Sequence, residues 1–395
     1  MLTRYLEAPA ASDLDKKMVF IGGPRQVGKT TLARELGRRA FSGNFRYLNW
    51  DSSADRRHIR SGTVAAEEAL VIFDEIHKYR QWKGFIKGFY DKNKERYKII
   101  VTGSSRLDVY RKGGDSLLGR YHHYRFHPLS LREVAGKGAQ AVEPGRPLAF
   151  APSSPETREA FERLLRFGGF PEIFLEGTEK ALHRWHNQRL DALVREDIRD
   201  IENLRDLSAI ELLAQLLPGK VGGLFSLNSL REDVGATHKT VASWVDVLER
   251  FYYHFRIRPH HSSRIKSLRK EPKLYLWDWS EVQDEGARFE NLLASHLLKF
   301  CHLLHDAEGV KAELRFLRDI DGRETDFLVS LDGRPWFCVE AKSAAKRPPR
   351  PLLYFKEKLG LTLAYQVVRE PGVNHIHADN GVHVLSADKF LTALA

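Results

Sequence analysis

The stretch Gly23-Pro24-Arg25-Gln26-Val27-Gly28-Lys29-Thr30-Thr31 constrains this chain more than any other part of it. It fits the pattern G-x-x-x-x-G-K-[ST] and lies between an apolar run, MVFI, and a helical pattern, TTLARELGRRA. Glycines let the backbone curl so that successive N–H groups face anionic oxygens at the positive end of a helix. Lys29 is placed to neutralise phosphate charge and Thr30 to ligate a divalent cation. The loop therefore belongs at the carboxyl end of a buried strand. FRYLNW, ALVIFDE and YKIIVTGSS join MVFIGG as four such strands separated by amphipathic stretches, which predicts a parallel α/β sheet.

The strand ALVIFDE delivers Asp74 at its end, where it can hold a magnesium shell opposite Thr30. Glu75 follows directly, and a second carboxylate there can orient and deprotonate an attacking water. Together these residues predict an ATP and Mg2+ site with hydrolytic capacity. YKIIVTGSS ends in hydroxyls and is expected between the loop strand and the Asp74 strand, placing Thr102 or Ser104 near the γ-phosphate.

Charge and composition limit the rest. Lys and Arg outnumber Asp and Glu by 63 to 52, a balance of +11 that favours a polyanionic partner. Cysteines occur only at Cys301 and Cys338, which excludes a disulfide framework and a zinc site of several thiolates. No apolar run approaches the roughly 20 residues that cross a bilayer. The start of the chain resembles neither a secretory signal nor a transit peptide. A cytoplasmic location is expected, with no membrane partner.

A chain of 395 residues exceeds what one core organises. Residues 136–157, rich in Gly, Pro, Ala and Ser, read as a linker or long loop, so we expect an ATPase core over 1–153. A helical lid follows over 154–220, broken by Gly168-Gly169-Phe170-Pro171. Residues 221–271 read as helix, turn, helix and strand, the order of a winged helix, with a basic connector. In its second helix Thr237, His238, Lys239 and Ser243 are expected on the surface, while Val241, Val245 and Leu248 face a core. From 272 to 395 a long helix and several strands predict a distinct α/β domain.

The marks GPRQVGKTT, VIFDEIHK, TGSS, LLGR, PLSLRE, GGFPE, RFENLL, GRETDFLV and VEAKS resemble a prokaryotic family of AAA+ ATPases over nearly the full length. That family joins core and lid to a winged helix and a carboxyl-terminal domain of poorly known function. The resemblance implies that Arg120 acts as an arginine finger on a neighbouring subunit, with Arg106 as runner-up. It also implies that Pro171 packs near adenine, although a helix turn accounts for the same residues. Self-association is implied too, a hexameric ring above other oligomers.

Two further constellations stand on their own residues. Asp326 is followed after thirteen residues by Glu340-Ala341-Lys342, a D-x13-E-x-K pattern in which alternation puts Glu340 and Lys342 on one face of a strand. With Glu290 from the preceding helix they form a candidate second metal site, similar to the restriction-endonuclease-like PD-(D/E)-x-K arrangement, with Thr325 replacing the proline and Gln366 as a further polar residue. Between Arg256 and Lys273 lie seven basic residues and one acid, Glu271. Arg264, Lys266, Arg269 and Lys270 are the expected DNA contacts. The readings that follow are a DNA-associated ATPase coupling turnover to remodelling or translocation on branched or duplex DNA, an ATP-dependent nuclease, or a nucleotide-switched regulator that binds a protein partner.

Overall fold

Five short strands build the first sheet. The computed structural model describes residues 2–64, 67–104, 117–138, 142–198, 207–261 and 270–395. They divide into two compact units, Thr3–His127 and Pro128–Ala395.

In the first unit, α1 (Glu7–Leu14) leads to β1 (Met18–Gly22), α2 (Lys29–Ala40), β2 (Phe45–Asn49), α3 (Ser53–Ser61), β3 (Leu70–Asp74), α4 (Trp82–Asn93), β4 (Lys98–Gly103) and β5 (Tyr121–Arg125). The strands are all parallel, in the order β2-β3-β4-β1-β5. As expected, β4 lies between the loop strand and the Asp74 strand, with Ile21 opposite Thr102 and Asp74 opposite Thr102 on the other side. Every residue of β1 and β3 is buried, so each reads as a continuous apolar run. The fifth strand went unpredicted because YHHYR carries no β-branched residue and no apolar alternation. It is an edge strand, half-buried, and pairing with β1 makes it.

The second unit contains α5 (Leu131–Val134), α6 (Pro155–Phe167), α7 (Pro171–Glu176), α8 (Glu179–Ala192), α9 (Leu207–Leu216), α10 (Leu227–Val234) and α11 (His238–Arg250). The strands β6 (His254–Pro259) and β7 (Lys273–Leu276) follow, then α12 (Glu285–Ala307), β8 (Ala312–Arg318), β9 (Glu324–Leu331) and β10 (Arg334–Lys342). It ends with α13 (Arg350–Lys358), β11 (Leu363–Val368), β12 (Asn374–Ile376), β13 (His383–Ser386) and α14 (Ala387–Leu391). One mixed sheet of eight strands runs β12-β13-β11-β10-β9-β8-β6-β7.

Two boundaries stand differently from the sequence expectation. The units divide after His127, ahead of the residues 136–157 read as a linker or long loop. The reason is burial: the Lys299 ammonium pairs with Glu133, Leu131 N–H donates to His296 Nε2 at 3.0 Å, and Arg132 donates to the Thr392 carbonyl at 2.5 Å. Part of the supposed linker also packs, since Trp336 donates to the Arg146 carbonyl and the Phe150 ring stands edge-on to Tyr365 and His383. The boundary at 271/272 falls between paired strands, because β6 and β7 are antiparallel neighbours and β6 also pairs in parallel with β8.

Helix ends follow local chemistry. Ser154 caps α6 by accepting from Thr157 N–H with Pro155 in the first turn, and Asp284 caps α12 through Ala287 N–H. Thr237 does the same for α11 through Thr240 N–H. On α11, Thr237, His238, Lys239 and Ser243 are exposed while Val241, Val245 and Leu248 are buried, as the 3.6-residue period requires.

Candidate functional site

The phosphate loop leaves β1 at Gly22 and enters α2 at Lys29, with Gly28 in the left-handed region at φ 98°. A side chain at Gly23 would collide with the Phe126 carbonyl, so a glycine is needed there for close packing against the segment after β5. Lys29 is 6% exposed, and its ammonium donates to the Gly23 and Pro24 carbonyls at 3.0 and 2.6 Å. Val27 is buried, Pro24 is buried, Gln26 and Thr31 are exposed, and Arg25 is half-buried.

Thr30 and Asp74 meet as expected. Thr30 Oγ1 donates to Asp74 Oδ2 at 2.7 Å. The same carboxylate, 3% exposed, accepts from Tyr47 Oη at 2.6 Å and from Thr102 Oγ1. Burial and the neighbouring Asp74 raise the Tyr47 pKa well above the usual range, so its phenol stays a donor. The Thr102 hydroxyl is thus committed to Asp74. Ser104, beyond the strand end, is the candidate that remains for a γ-phosphate contact.

Glu75 stands in the left-handed region at φ 54°, immediately after β3, a conformation uncommon for a residue with a side chain. Burial pushes its pKa up, Lys29 opposes that, and Asp74 adds to it. His77, 2% exposed, places Nε2 3.5 Å from Glu75 Oε2 and 3.4 Å from Ser104 Oγ. It therefore bridges the acid and the strand-end serine. Sequence reasoning passed over His77, although its position two residues after Glu75 was visible.

Arg4 was also missed. Its guanidinium donates to the Val27 carbonyl at 2.9 Å and the His127 carbonyl at 2.7 Å, and lies 4.0 Å from the Phe126 ring centroid. A residue from the start of the chain so braces the loop from behind. No local pattern in the sequence announces this.

Arg120 lies just before β5, and its guanidinium grips Asp91 of α4 through Nε at 2.8 Å and Nη2 at 3.0 Å. Arg106 lies outside the described residues. Pro171 is the first residue of α7, where its fixed φ suits a helix start. The glycines before it answer to packing: a Cβ at Gly169 would sit 2.6 Å from Trp279 Cη2 and 2.8 Å from the Leu129 carbonyl, and one at Gly168 would meet Asp278 Oδ1 at 2.6 Å.

In the second unit, Val339 opposite Phe327 in antiparallel β9 and β10 brings Asp326 beside Glu340, and Ala341 N–H donates to Asp326 Oδ2 at 2.9 Å. Lys342 Nζ donates to Glu340 Oε1 at 2.7 Å. Glu290 joins from α12. Burial and Asp326 raise the pKa of both Glu290 and Glu340. The cluster also holds Lys273 and Glu324, which the sequence reading left out. Among the described residues no group of three or more His, Cys, Asp and Glu side chains is arranged to hold a metal ion, in contrast to the metal site expected here.

The basic stretch is only partly free. Arg256 is bound by Glu249 and Asp246, and Lys273 is buried. Arg264, Lys266 and Arg269 lie outside the described residues, and Lys270 is exposed. No helix among the described residues is long and apolar enough to cross a membrane.

Residues 15–135 match the family described as an AAA domain. Residues 158–281 and 285–390 match two domains of unknown function, DUF8612 and DUF4143. The chain is 21% identical to an uncharacterized protein of Mycobacterium tuberculosis, over 95% of this chain and 81% of that one. It is 25% identical to an uncharacterized protein of Methanocaldococcus jannaschii, over 72% of this chain and 68% of that one. Among solved structures, a Thermotoga maritima RuvB Holliday junction branch migration motor is 14% identical, with 63% of this chain and 87% of that chain covered and a TM-score of 0.31. AMPPCP-bound DnaA from Aquifex aeolicus is 14% identical over 62% of this chain and 86% of that chain, also with a TM-score of 0.31. Strand order and the phosphate loop, rather than these two likenesses, define the α/β fold.

Proposed function

We propose that the chain is an AAA+ ATPase that binds ATP with magnesium, hydrolyses it, and couples turnover to remodelling or moving along DNA as an oligomer. The observation that carries this reading is the Thr30 to Asp74 hydrogen bond of 2.7 Å with Glu75 as the next residue. It joins the two motifs of a phosphoryl-transfer site on adjacent elements. The groups fit their ligands: an ammonium resting on neutral carbonyls is ready to exchange them for phosphate oxygens, and Thr30 and Asp74 are hard oxygen donors. Magnesium held by Thr30 and Asp74 supplies charge neutralisation at the phosphates.

In this mechanism the loop N–H groups and Lys29 hold the β- and γ-phosphates. Glu75 accepts a proton from water, the water oxygen attacks the γ-phosphorus, and ADP departs with the electrons of the broken bond. His77 holds the Glu75 carboxylate, and Ser104 reports the state of the γ-phosphate through the same imidazole. Arg120, once released from Asp91, stabilises transition-state charge on a neighbouring subunit.

Support for DNA comes from the net charge of +11, from exposed His238, Lys239 and Ser243 on α11, and from Lys270. Arg264, Lys266 and Arg269, basic residues of the same stretch of sequence, are the further DNA contacts in this reading. The test is ATP turnover with and without single-stranded, duplex and branched DNA, together with DNA affinity across a salt series. Turnover should rise with one DNA form. Neutralising Arg264, Lys266, Arg269 and Lys270 should lower the salt slope by roughly 3 to 4, since each phosphate contact contributes about 0.9. Turnover indifferent to every DNA, with an unchanged slope, would remove DNA from the reading and leave a nucleotide-governed switch.

A further inference from the structure

Lys273 opens β7 with a side chain 2% exposed. Its Nζ lies 2.7 Å from Glu324 Oε1, 3.3 Å from Glu290 Oε1 and 3.7 Å from Asp326 Oδ1. Three carboxylates from α12 and β9 thus surround one ammonium, an arrangement of hard oxygens of the kind that binds small divalent ions. Each acid is itself positioned: Tyr275 Oη donates to Glu290 Oε1 at 2.6 Å, Arg318 to Glu324 Oε2 at 2.7 Å, and Ala341 N–H to Asp326 Oδ2 at 2.9 Å. A buried ammonium is costly unless paired, and here burial lowers the Lys273 pKa while Glu290, Asp326 and Glu324 together drive it above the usual lysine range.

A second observation stands beside the first. Glu340 is 5% exposed, and its Oε2 has no hydrogen-bond partner. Gln366 is fully buried, sits opposite Glu340 in the parallel register of β10 and β11, and its Oε1 also lacks a partner. Parallel neighbours in register project to the same face. Two buried acceptors without donors thus lie on the face that carries the carboxylates, where a cation or a donor would satisfy them.

We propose that Lys273 is a tethered cation standing where a divalent ion would bind among Glu290, Glu324 and Asp326, which closes the cluster to metal in the native chain and leaves it a latent site for a hard divalent cation. A magnesium-dependent reaction at Asp326, Glu340 and Lys342 then lacks its metal.

The experiment uses the full chain carrying Asp74→Asn, so that the phosphate site contributes no cation binding. Manganese binding is read by electron paramagnetic resonance, and melting temperature is read with and without millimolar magnesium or manganese. With Lys273 intact, the cluster should bind no manganese and neither ion should move the melting temperature. Lys273→Ala should melt lower in chelator, recover with either ion, and bind one manganese that adding Asp326→Asn removes. If Lys273→Ala does not fold in either condition, the milder Lys273→Gln, which keeps all three carboxylates, carries the same expectation. Manganese bound by the Lys273-intact chain and lost with Asp326→Asn would overturn the proposal, as would a folded Lys273 variant that binds none.

Discussion

Lys29 and Glu75 touch the same substrate at different moments, so their replacement separates binding from turnover. In the structure the Lys29 ammonium is held by two neutral carbonyls, Gly23 and Pro24. Moving to phosphate exchanges them for charge-assisted bonds. A hydrogen bond to a charged group is worth about 1.5–3 kcal/mol net. At about 1.4 kcal/mol per factor of ten, Lys29→Ala should weaken ATP binding roughly 10- to 150-fold. Glu75 acts on water rather than on the phosphates in this reading, and its replacement by Gln keeps the size of the side chain and the approach of His77. Glu75→Gln should therefore bind ATP as well as the native chain while turnover falls about 10²–10⁴-fold, the usual contribution of a positioned base. Titration calorimetry measures the first quantity and phosphate release the second. Native-rate hydrolysis by Glu75→Gln would falsify the assignment of the base, and ATP affinity unchanged in Lys29→Ala would refute the exchange of partners.

Arg120→Ala should abolish turnover and keep ATP affinity, and mixing it with Lys29→Ala chains should restore part of the activity at composite sites; assembled mixtures that stay inactive at every ratio exclude action across subunits. Burial lowers the pKa of His296 and of His254 from 6.5 to about 4. Because the folded value is depressed, the neutral form is favoured by folding, so stability is complete above about pH 6.5 and is lost as pH falls toward about 4. Each histidine should remove roughly 2 kcal/mol by about pH 5. His296 Nε2 accepts from Leu131 N–H, so His296→Gln keeps an acceptor and should show a smaller acid-side loss in urea unfolding; an identical loss would contradict the assignment. Gly169→Ala should destabilise by about 1–3 kcal/mol through overpacking against Trp279 and the Leu129 carbonyl, and an unchanged unfolding midpoint would show that the neighbours yield freely.

The sequence by itself determined the phosphate loop, Thr30, Asp74 and Glu75, because their chemistry depends on a strand, a turn and a helix contiguous in the chain. It also determined the position of β4, the exposed and buried faces of α11, and the shared face of Glu340 and Lys342, since near neighbours set backbone periodicity. Only the tertiary structure decided which distant groups meet. Arg4 reaches Val27 and His127 across the first unit, and β5 exists because β1 offers it an edge. Thr102 turns to Asp74 and leaves Ser104 to His77, a choice that parallel register makes. Lys273 looked like one basic residue in a cationic stretch, yet pairing of β7 with β6 and packing against α12 carry it among three carboxylates. A lysine's role follows from the charges that surround it after burial, and that surrounding is assembled from residues 17 to 53 positions away in the chain, which no local spacing encodes.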